Sequence, residues 1–146
     1  QGMAIRFPEN NVRPMGRSAR GVRAIKLKKE GDRVVGAVIL SEDSPTLLTI
    51  TDNGFGKRTP ISDYRSQSRG GSGIISSKVT SRTGEVAGIS SVSSDGELMV
   101  VTTKGMMIRV KIDEISVLGR STQGVKIITT TAQEQVAGLA KVAENG

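Results

Sequence analysis

Cysteine, histidine and tryptophan are absent from this chain of 146 residues. Without cysteine there is neither a disulfide framework nor a thiol nucleophile, which fits a reducing compartment. Because histidine is missing as well, a zinc site would lack its usual ligands, and the Ser-His and Cys-His catalytic mechanisms are unavailable. We therefore predict neither a catalytic residue nor a metal site in this chain.

Long apolar runs are missing too. The longest stretch without a charged residue, 86–94, has nine residues, whereas a membrane-spanning helix needs about 20. No charged and then apolar leader opens the chain. Its first residue is Gln1, so we expect it to be a piece of a longer protein.

Charge is unevenly distributed along the chain. Lysine and arginine outnumber the acidic residues by 21 to 14, which gives a formal net charge of +7. Seven basic residues and no acidic residue lie between Asn11 and Lys29, a stretch we call the basic segment. Acidic residues collect instead at apparent turns such as 30–32 and 94–97. This segregation predicts a polarised surface that suits an anionic partner.

One sequence unit of about 51 residues occurs three times, with approximate bounds 1–46, 47–97 and 98–146. Gly2–Arg6 aligns with Gly54–Arg58 and with Gly105–Arg109, at offsets of 52 and 51 residues. A period of this size indicates a repeat architecture. We refer to the copies as units 1, 2 and 3.

The secondary-structure signals favour strands. Short β-branched runs bounded by turn residues predict strands at 47–51, 74–79 and 98–102. Asp52–Gly54 and Lys104–Gly105 predict hairpin turns, whereas only 61–64 and 113–115 suggest helical turns. We therefore predict an all-β, propeller-like fold of three four-stranded antiparallel blades.

The ends of the array are incomplete. Unit 1 lacks the strand that corresponds to 47–51, and the chain stops before the next such strand. Because closed propellers typically have four to eight blades, we expect an open arc. The alternative is that two chains pair edge to edge and restore a six-bladed ring, since unpaired strand edges seek partners.

Arginine recurs at two positions in every unit. The first arginine row, at the far side of each predicted hairpin turn, is Arg6, Arg58 and Arg109. The second arginine row, in small-residue loops that close with glycine, is Arg17, Arg69 and Arg120. Such loops let the backbone approach a phosphate, which guanidinium binds through paired hydrogen bonds. The alternative is that these arginines satisfy loop carbonyls within each blade.

These rows predict backbone-directed binding of duplex DNA with little sequence specificity. Aromatic residues make up only 2% of the chain, too few for a base-stacking platform, and no recognition helix is indicated. If about six to nine phosphates are neutralised, log K should fall against log salt with a slope of about −5 to −8. The predicted contributors are Arg6, Arg17, Arg58, Arg69, Arg109 and Arg120, with Arg20, Arg23, Lys57 and Lys126 adding to the field.

Two features that resemble catalytic groups have simpler explanations. Tyr64 aligns with Val12 and Ile115, both aliphatic, so we expect it in the core rather than as a nucleophile. Asp113 and Glu114 are adjacent, occur as a pair in one unit and have no partner base, which is typical of a solvated turn.

Three sequence segments resemble the C-terminal domain family of the DNA gyrase A subunit: Asn53–Thr59, Gly119–Val125 and Val12–Arg17. The resemblance covers essentially the whole chain, and the regularity of the units favours gyrase over the related domain of topoisomerase IV. It implies a six-bladed β-pinwheel, a propeller-like ring whose blades exchange strands and whose basic rim wraps DNA; the three blades of this chain would be half of that six-bladed ring.

The resemblance also implies a cellular role. Gyrase is an ATP-dependent type II topoisomerase that introduces negative supercoils, and ATP and magnesium would act elsewhere in the holoenzyme. The implied partners are duplex DNA and the gyrase B subunit, together with the remainder of the gyrase A subunit, in the bacterial cytoplasm at the nucleoid. The alternative function is a propeller-like protein-interaction module without a nucleic-acid role.

One motif departs from the family pattern. The family's hallmark box, in its first blade, reads Gln, basic, Arg, Gly, Gly, basic, Gly. Gln67–Gly73 resembles it but has serine at both flanking basic places, Ser68 and Ser72. The surrounding strings are more similar to the last three blades, which would make this the fifth blade and place the box outside this chain. Two fewer charges predict a weaker contact at this loop.

Overall fold

The computed structural model describes residues 1–142, which form strands and short 3-10 turns but no α-helix. The strands are β1 (Met3–Ala4), β2 (Thr46–Thr51), β3 (Phe55–Pro60), β4 (Ile74–Ile75), β5 (Val86–Val92), β6 (Glu97–Thr102), β7 (Met107–Lys111), β8 (Val125–Lys126) and β9 (Val136–Lys141). The 3-10 turns are Glu9–Asn11, Ile61–Asp63 and Ile112–Glu114, one per unit.

Three antiparallel sheets arise from these strands within residues 1–142. One has four strands in the order β5-β2-β3-β8, one has three in the order β7-β6-β9, and β1 pairs with β4 alone. The all-β prediction is confirmed. Units 2 and 3 each contribute four strands, as expected, whereas unit 1 contributes only β1. Of the three sheets in the described residues, one is four-stranded.

Neighbouring units exchange strands. β8 belongs to unit 3 but pairs with β3 of unit 2, so that Gly56 lies opposite Val125. In the same way β4 of unit 2 pairs with β1 of unit 1, with Ala4 opposite Ile74. Each exchange therefore places a short strand of one unit in the sheet of the preceding unit.

Glycine is required where the exchanged strands begin. Gly73 and Gly124 have φ of 75° and 81°. A Cβ on Gly73 would lie 2.2 Å from the carbonyl oxygen of Ala4, and one on Gly124 would lie 2.6 Å from that of Gly56. Both the left-handed backbone and the close approach exclude a side chain. Gly21, at the same place in unit 1, has a similar φ of 78° but open space around it.

The hydrophobic core lies between units 2 and 3. It is built from β2, β5, β6 and β9, from the 3-10 turn of unit 3 with the residue that follows it, and from Ile128, and its members are almost inaccessible to solvent. The buried residues are Leu48, Ile50, Val92, Leu98, Val100, Ile112, Ile115, Ile128 and Val136.

Tyr64 is buried, as expected from its aliphatic counterparts, with 4% of its surface exposed. Its hydroxyl oxygen lies 2.7 Å from Oγ of Ser76. Burial raises the pKa of Tyr64 above its ordinary value. Asp113 and Glu114 are exposed in their 3-10 turn.

Unit 1 departs most from the predicted architecture. Among residues 1–45 only Gly2 is buried and only β1 is a strand. The segment 34–40 aligns with β5 but forms no ladder, which leaves Val34 and Ile39 61% and 85% exposed. In unit 2, β5 pairs with β2, whereas residues 1–142 contain no strand that pairs with segment 34–40. A cavity of about 1360 Å³ lies between it and the rest of the chain.

The strand predicted at 74–79 ends at Ile75 because the following amides find other acceptors. The backbone N–H groups of Ser76 and Ser77 both donate to the carbonyl of Gly2, at 2.8 and 3.1 Å. The N–H of Lys78 donates to the carbonyl of Thr122, at 3.0 Å. The backbone of residues 76–78 therefore forms hydrogen bonds first to unit 1 and then to unit 3.

Candidate nucleic-acid interface

The first arginine row lies between units. Nη1 of Arg6 donates to the carbonyls of Ile61 and Tyr64, at 3.3 and 3.1 Å. Nε of Arg58 donates to the carbonyl of Ile115 at 2.8 Å, and Arg58 is only 8% exposed. In both cases the acceptors lie at the 3-10 turn of the following unit. These two arginines therefore tie each unit to the next.

Arg109, the third member of this row, has a different environment. It forms an ion pair with Glu97 of its own hairpin, and its side chain is 61% exposed. No later 3-10 turn exists within residues 1–142, so the acceptors used by Arg6 and Arg58 have no counterpart for it.

The second arginine row reaches in the opposite direction along the chain. Nε of Arg69 donates to the carbonyl of Asn11 at 3.0 Å, and its Nη1 donates to that of Arg23 at 3.2 Å. Nη1 of Arg120 donates to the carbonyl of Ile75 at 2.7 Å. Each acceptor belongs to the preceding unit. Arg17, the member of this row in unit 1, is exposed.

Lys57 is enclosed by backbone oxygens. Its Nζ donates to the carbonyls of Gly119, Arg120 and Thr122, at 2.8, 2.6 and 3.0 Å, and to Oγ1 of Thr122 at 3.2 Å. The residue is 1% exposed. Burial, followed by repulsion from Arg120, lowers the pKa of Lys57 to about 8.

Lys57 and Arg58 thus occupy places that differ from the surface position expected for them. Both lie in β3, which is flanked by β2 and β8 and is buried from Phe55 through Thr59. Consecutive strand residues point to opposite faces. Because both faces of β3 are covered, both side chains lie inside and donate to loop carbonyls of unit 3. Lys57 and Arg58 therefore fit the alternative stated above, in which these side chains donate to loop carbonyls. The carbonyls belong to the neighbouring unit rather than to the same blade.

The basic segment lies on the surface and is fastened to unit 2 through its backbone. The N–H of Gly70 donates to the carbonyl of Ala24 at 2.6 Å, and the N–H of Lys26 donates to that of Gly71 at 2.8 Å. Arg69 adds the two bonds described above. Seven basic side chains of the segment are exposed: Arg13, Arg17, Arg20, Arg23, Lys26, Lys28 and Lys29.

These seven residues form no ion pair with an acidic side chain in the described part of the chain. The predicted contact set did not include four of them, because they belong to neither arginine row: Arg13, Lys26, Lys28 and Lys29. The signal that could have included them was the charge run itself. Their shared exposure makes the basic segment the largest uncompensated group of positive charges adjacent in sequence.

Lys126 is exposed and lies at the junction of units 2 and 3. Its Nζ is 5.8 Å from the ring centre of Phe55, and the guanidinium carbon of Arg82 is 5.2 Å from the same centre. Both distances are within the range of a cation–π contact. The Phe55 ring is buried, and the two exposed cations that contact it lie at the surface.

Neither a metal centre nor a membrane span is indicated. Within residues 1–142 no three His, Cys, Asp or Glu side chains are grouped so that they could hold a metal ion. No helix in the same range has the length and apolar character to cross a membrane.

An all-β array of repeats that exchange strands and carry an exposed basic segment defines a propeller-like repeat protein. A family model described as the DNA gyrase C-terminal domain, a β-propeller, matches residues 1–41, 45–93 and 96–143. The chain belongs to that family. The resemblance drawn from the loop motifs is therefore confirmed.

Curated relatives agree with this assignment. The DNA gyrase A subunit of Salmonella typhimurium is 46% identical over 143 residues, which cover 98% of this chain. The DNA gyrase A subunit of Staphylococcus aureus is 45% identical over 142 residues, which cover 97% of it. The chain spans 16% of the length of each relative.

Solved structures match over almost the whole chain. The structure of a DNA gyrase A C-terminal domain superposes with a TM-score of 0.85 at 27% identity, covering 97% of this chain and 48% of that one. A topoisomerase IV C-terminal domain superposes with a TM-score of 0.88, covering 97% of this chain and 44% of that one. Its identity is 21%, so this second likeness shows the fold alone.

Proposed function

We propose that this chain binds duplex DNA, largely without sequence preference, and wraps it as the C-terminal domain of a DNA gyrase A subunit. The observation that carries the proposal is the basic segment, whose seven basic side chains are exposed and unpaired with acids in the described residues. Phosphate contacts of this kind provide sequence-independent affinity. Membership of the gyrase family supports duplex DNA as the anion.

The exposed basic residues are the proposed contacts. Arg17, Arg20 and Arg23 are the strongest candidates, supported by the other members of the basic segment. Lys126 of unit 3 adds positive charge at the junction with unit 2, whereas Arg109 is exposed but paired with Glu97. Arg6, Arg69 and Arg120 donate to carbonyls between units, so their proposed contribution is to orient the loops. For Lys57 and Arg58, burial favours a purely internal role.

The proposed setting is the whole gyrase enzyme. We propose that this chain is a non-catalytic part of an ATP-dependent type II topoisomerase that introduces negative supercoils. ATP and magnesium would be used elsewhere in that enzyme, and the protein partners would be the gyrase B subunit together with the remainder of the gyrase A subunit. The proposed place of action is the bacterial cytoplasm, at the nucleoid, and the proposed place in the domain is the last three blades.

The test is a titration with a duplex of about 40 base pairs at several salt concentrations. If about six to nine phosphates are contacted, log K should fall with a slope of about −5 to −8. Replacing two exposed arginines, R20Q with R23Q, should reduce the slope by about two and weaken binding to all sequences alike. The matched control, K111Q with K141Q, removes the same charge from exposed positions of unit 3 and should change the slope little.

Other outcomes would contradict the proposal in different ways. Binding that hardly depends on salt would favour the protein-interaction module. A changed sequence preference in the arginine variant would mean that these side chains read bases rather than phosphates. Equal losses in the two variants would mean that net charge, rather than the basic segment, determines affinity.

A further inference from the structure

The buried ammonium of Lys57 lies against the inner side of one second-row loop, residues 119–124. Because its Nζ donates to the carbonyls of Gly119, Arg120 and Thr122, three peptide groups of this loop turn their oxygens toward the protein interior. The hydroxyl of Thr122 turns inward as well and donates to the carbonyl of Gly119 at 2.8 Å. One buried cation therefore sets the orientation of most of this loop.

The amides of the same peptide groups point the other way. Residues 1–142 contain no cis peptide bond, and in a trans peptide the N–H points opposite to the carbonyl. The N–H groups of Arg120, Ser121 and Gln123 therefore point away from Nζ of Lys57. Within residues 1–142 none of these three amides donates a hydrogen bond, and Ser121 is exposed. The loop thus presents three backbone donors on its outer side.

The residue behind the loop distinguishes it from its counterpart in unit 2, loop 68–73. The residues aligned with Lys57 in units 1 and 3 are Ile5 and Ile108. Cδ1 of Ile5 would lie 3.6 Å from a Cβ on Gly71, so an aliphatic side chain lies against loop 68–73. An aliphatic group donates no hydrogen bond and cannot hold carbonyls inward.

Loop 68–73 uses its backbone within the chain instead. The N–H of Gly70 donates to the carbonyl of Ala24 at 2.6 Å, and the carbonyl of Gly71 accepts from the N–H of Lys26 at 2.8 Å. Both partners belong to the basic segment. One loop therefore fastens a neighbouring stretch of chain, whereas loop 119–124 leaves three amides available to a ligand.

The charge around loop 119–124 favours an anion as that ligand. Arg120 forms no ion pair with an acidic side chain in the described residues, and Lys126, just beyond the loop, is exposed. Lys57 adds a third cation from the inner side. Backbone N–H groups gathered in a turn bind anions, phosphate among them. Amide donors and cations therefore act in the same sense at this loop.

We propose that Lys57 is a positioning residue for DNA binding: by holding the carbonyls of loop 119–124 inward, it turns three amides outward, where they donate to phosphate oxygens of duplex DNA. This inference rests on the proposed function, and it adds backbone donors on unit 3 to the basic side chains of unit 1. Lys57 itself does not touch the DNA. Contacts of this kind fix the position of the duplex and carry no sequence information directly.

The first test follows individual amide signals by NMR while the isotope-labelled chain is titrated with a short duplex of mixed sequence. The amide protons of Arg120, Ser121 and Gln123 should move downfield as they donate to charged phosphate oxygens. In K57M these shifts should be lost, whereas the signals of the basic segment should move as in the unmodified chain. K111Q, the matched control, removes one exposed positive charge of unit 3 and should leave the loop shifts unchanged.

The second test acts on the outer side of the loop and leaves Lys57 in place. S121D puts a carboxylate beside the outward amides at an exposed position, so the fold should tolerate it. It should weaken duplex binding about tenfold, which corresponds to one hydrogen bond to a charged group. S116D is the matched control, because Ser116 is also an exposed serine of unit 3 but precedes the loop. Its effect should be much smaller, since salt screens a charge that is not at the contact.

Different failures identify which part of the argument is wrong. Loop signals that stay in place while those of the basic segment move would overturn the inference and leave the proposed function intact. Equal loop shifts in K57M and the unmodified chain would show that Lys57 does not position the loop. Equal losses of affinity in S121D and S116D would show that the amides are not the contact. A chain that binds no duplex at low salt would overturn both the inference and the proposed function.

Discussion

Arg58 and Arg109 occupy the same position in consecutive units, yet one lies inside the protein and the other on its surface. Arg58 donates to a carbonyl of the following unit and is 8% exposed. Arg109 faces no following unit in the described chain and pairs with Glu97, with its side chain 61% exposed. The role of a repeated residue is therefore set by the neighbouring unit as much as by the motif that contains it.

Gly54 and Gly105 make the same comparison for the backbone. Their φ angles are 83° and 79°, so both hairpins use the same left-handed turn. Gly54 is covered by unit 3, and a Cβ there would lie 2.4 Å from the carbonyl oxygen of Ile128. A Cβ on Gly105 would meet nothing within 4 Å. The two positions separate the requirement for positive φ from the requirement for close packing.

The largest expected difference is between Gly54→Ala and Gly105→Ala. Both variants should lose about 1 kcal/mol of unfolding free energy, because alanine is strained in the left-handed region. Gly54→Ala should lose about 3 kcal/mol more, because the new methyl group forces units 2 and 3 apart. Urea unfolding of the two variants measures the difference. Equal losses would show that backbone strain alone makes glycine necessary here.

The next difference is between Arg58→Ala and Arg109→Ala. Removing Arg58 leaves the carbonyl of Ile115 without this donor in a buried position, which should cost about 2 to 3 kcal/mol of unfolding free energy. Removing Arg109 breaks an exposed ion pair and should cost less than about 1 kcal/mol. Urea unfolding again provides the measurement. A larger loss from Arg109→Ala would contradict the assignment of the first row to the junctions between units.

Sequence patterns predicted the parts of this fold that depend on local chemistry. Repeat spacing, β-branched runs and turn glycines located the hairpins at Asp52–Gly54 and Lys104–Gly105 correctly. The alignment of Tyr64 with aliphatic residues placed it in the core, because equivalent positions in a repeat usually share an environment. Both conclusions need only the order of residues along one unit.

The direction of the arginine side chains could not be predicted in the same way. A guanidinium group binds phosphate oxygens and backbone carbonyl oxygens with the same donors. The sequence therefore indicates an oxygen partner for Arg6 or Arg69 without indicating whether it is DNA or a neighbouring loop. Segment 34–40 makes a related point, because an apolar sequence that aligns with β5 forms a strand only where another strand pairs with it.

The smallest expected effect is a change of stability with pH that arises from Lys57. It distinguishes the buried ammonium of Lys57 from the exposed ammonium of Lys126. The pKa of Lys57 is about 8 in the folded protein, below its ordinary value of 10.5. Between these values the unfolded chain binds more protons than the folded one, so the free energy of unfolding should rise with pH. The gain from pH 7 to pH 9.5 should be about 2 kcal/mol, at 1.36 kcal/mol for each pKa unit. Urea unfolding at a series of pH values measures it.

Two variants separate Lys57 from the other titrating groups. Lys57→Met removes the buried ammonium and should abolish this rise, whereas Lys126→Gln removes an exposed one and should retain it. A flat profile for the unmodified chain would mean that the carbonyls of Gly119, Arg120 and Thr122 compensate for burial and hold the ammonium charged. In that case Lys57 would stay charged across this pH range, as Arg58 does, and two buried cations would still join units 2 and 3 at pH 9.5. With a pKa of about 8, the second cation is present at pH 7 and lost at pH 9.5.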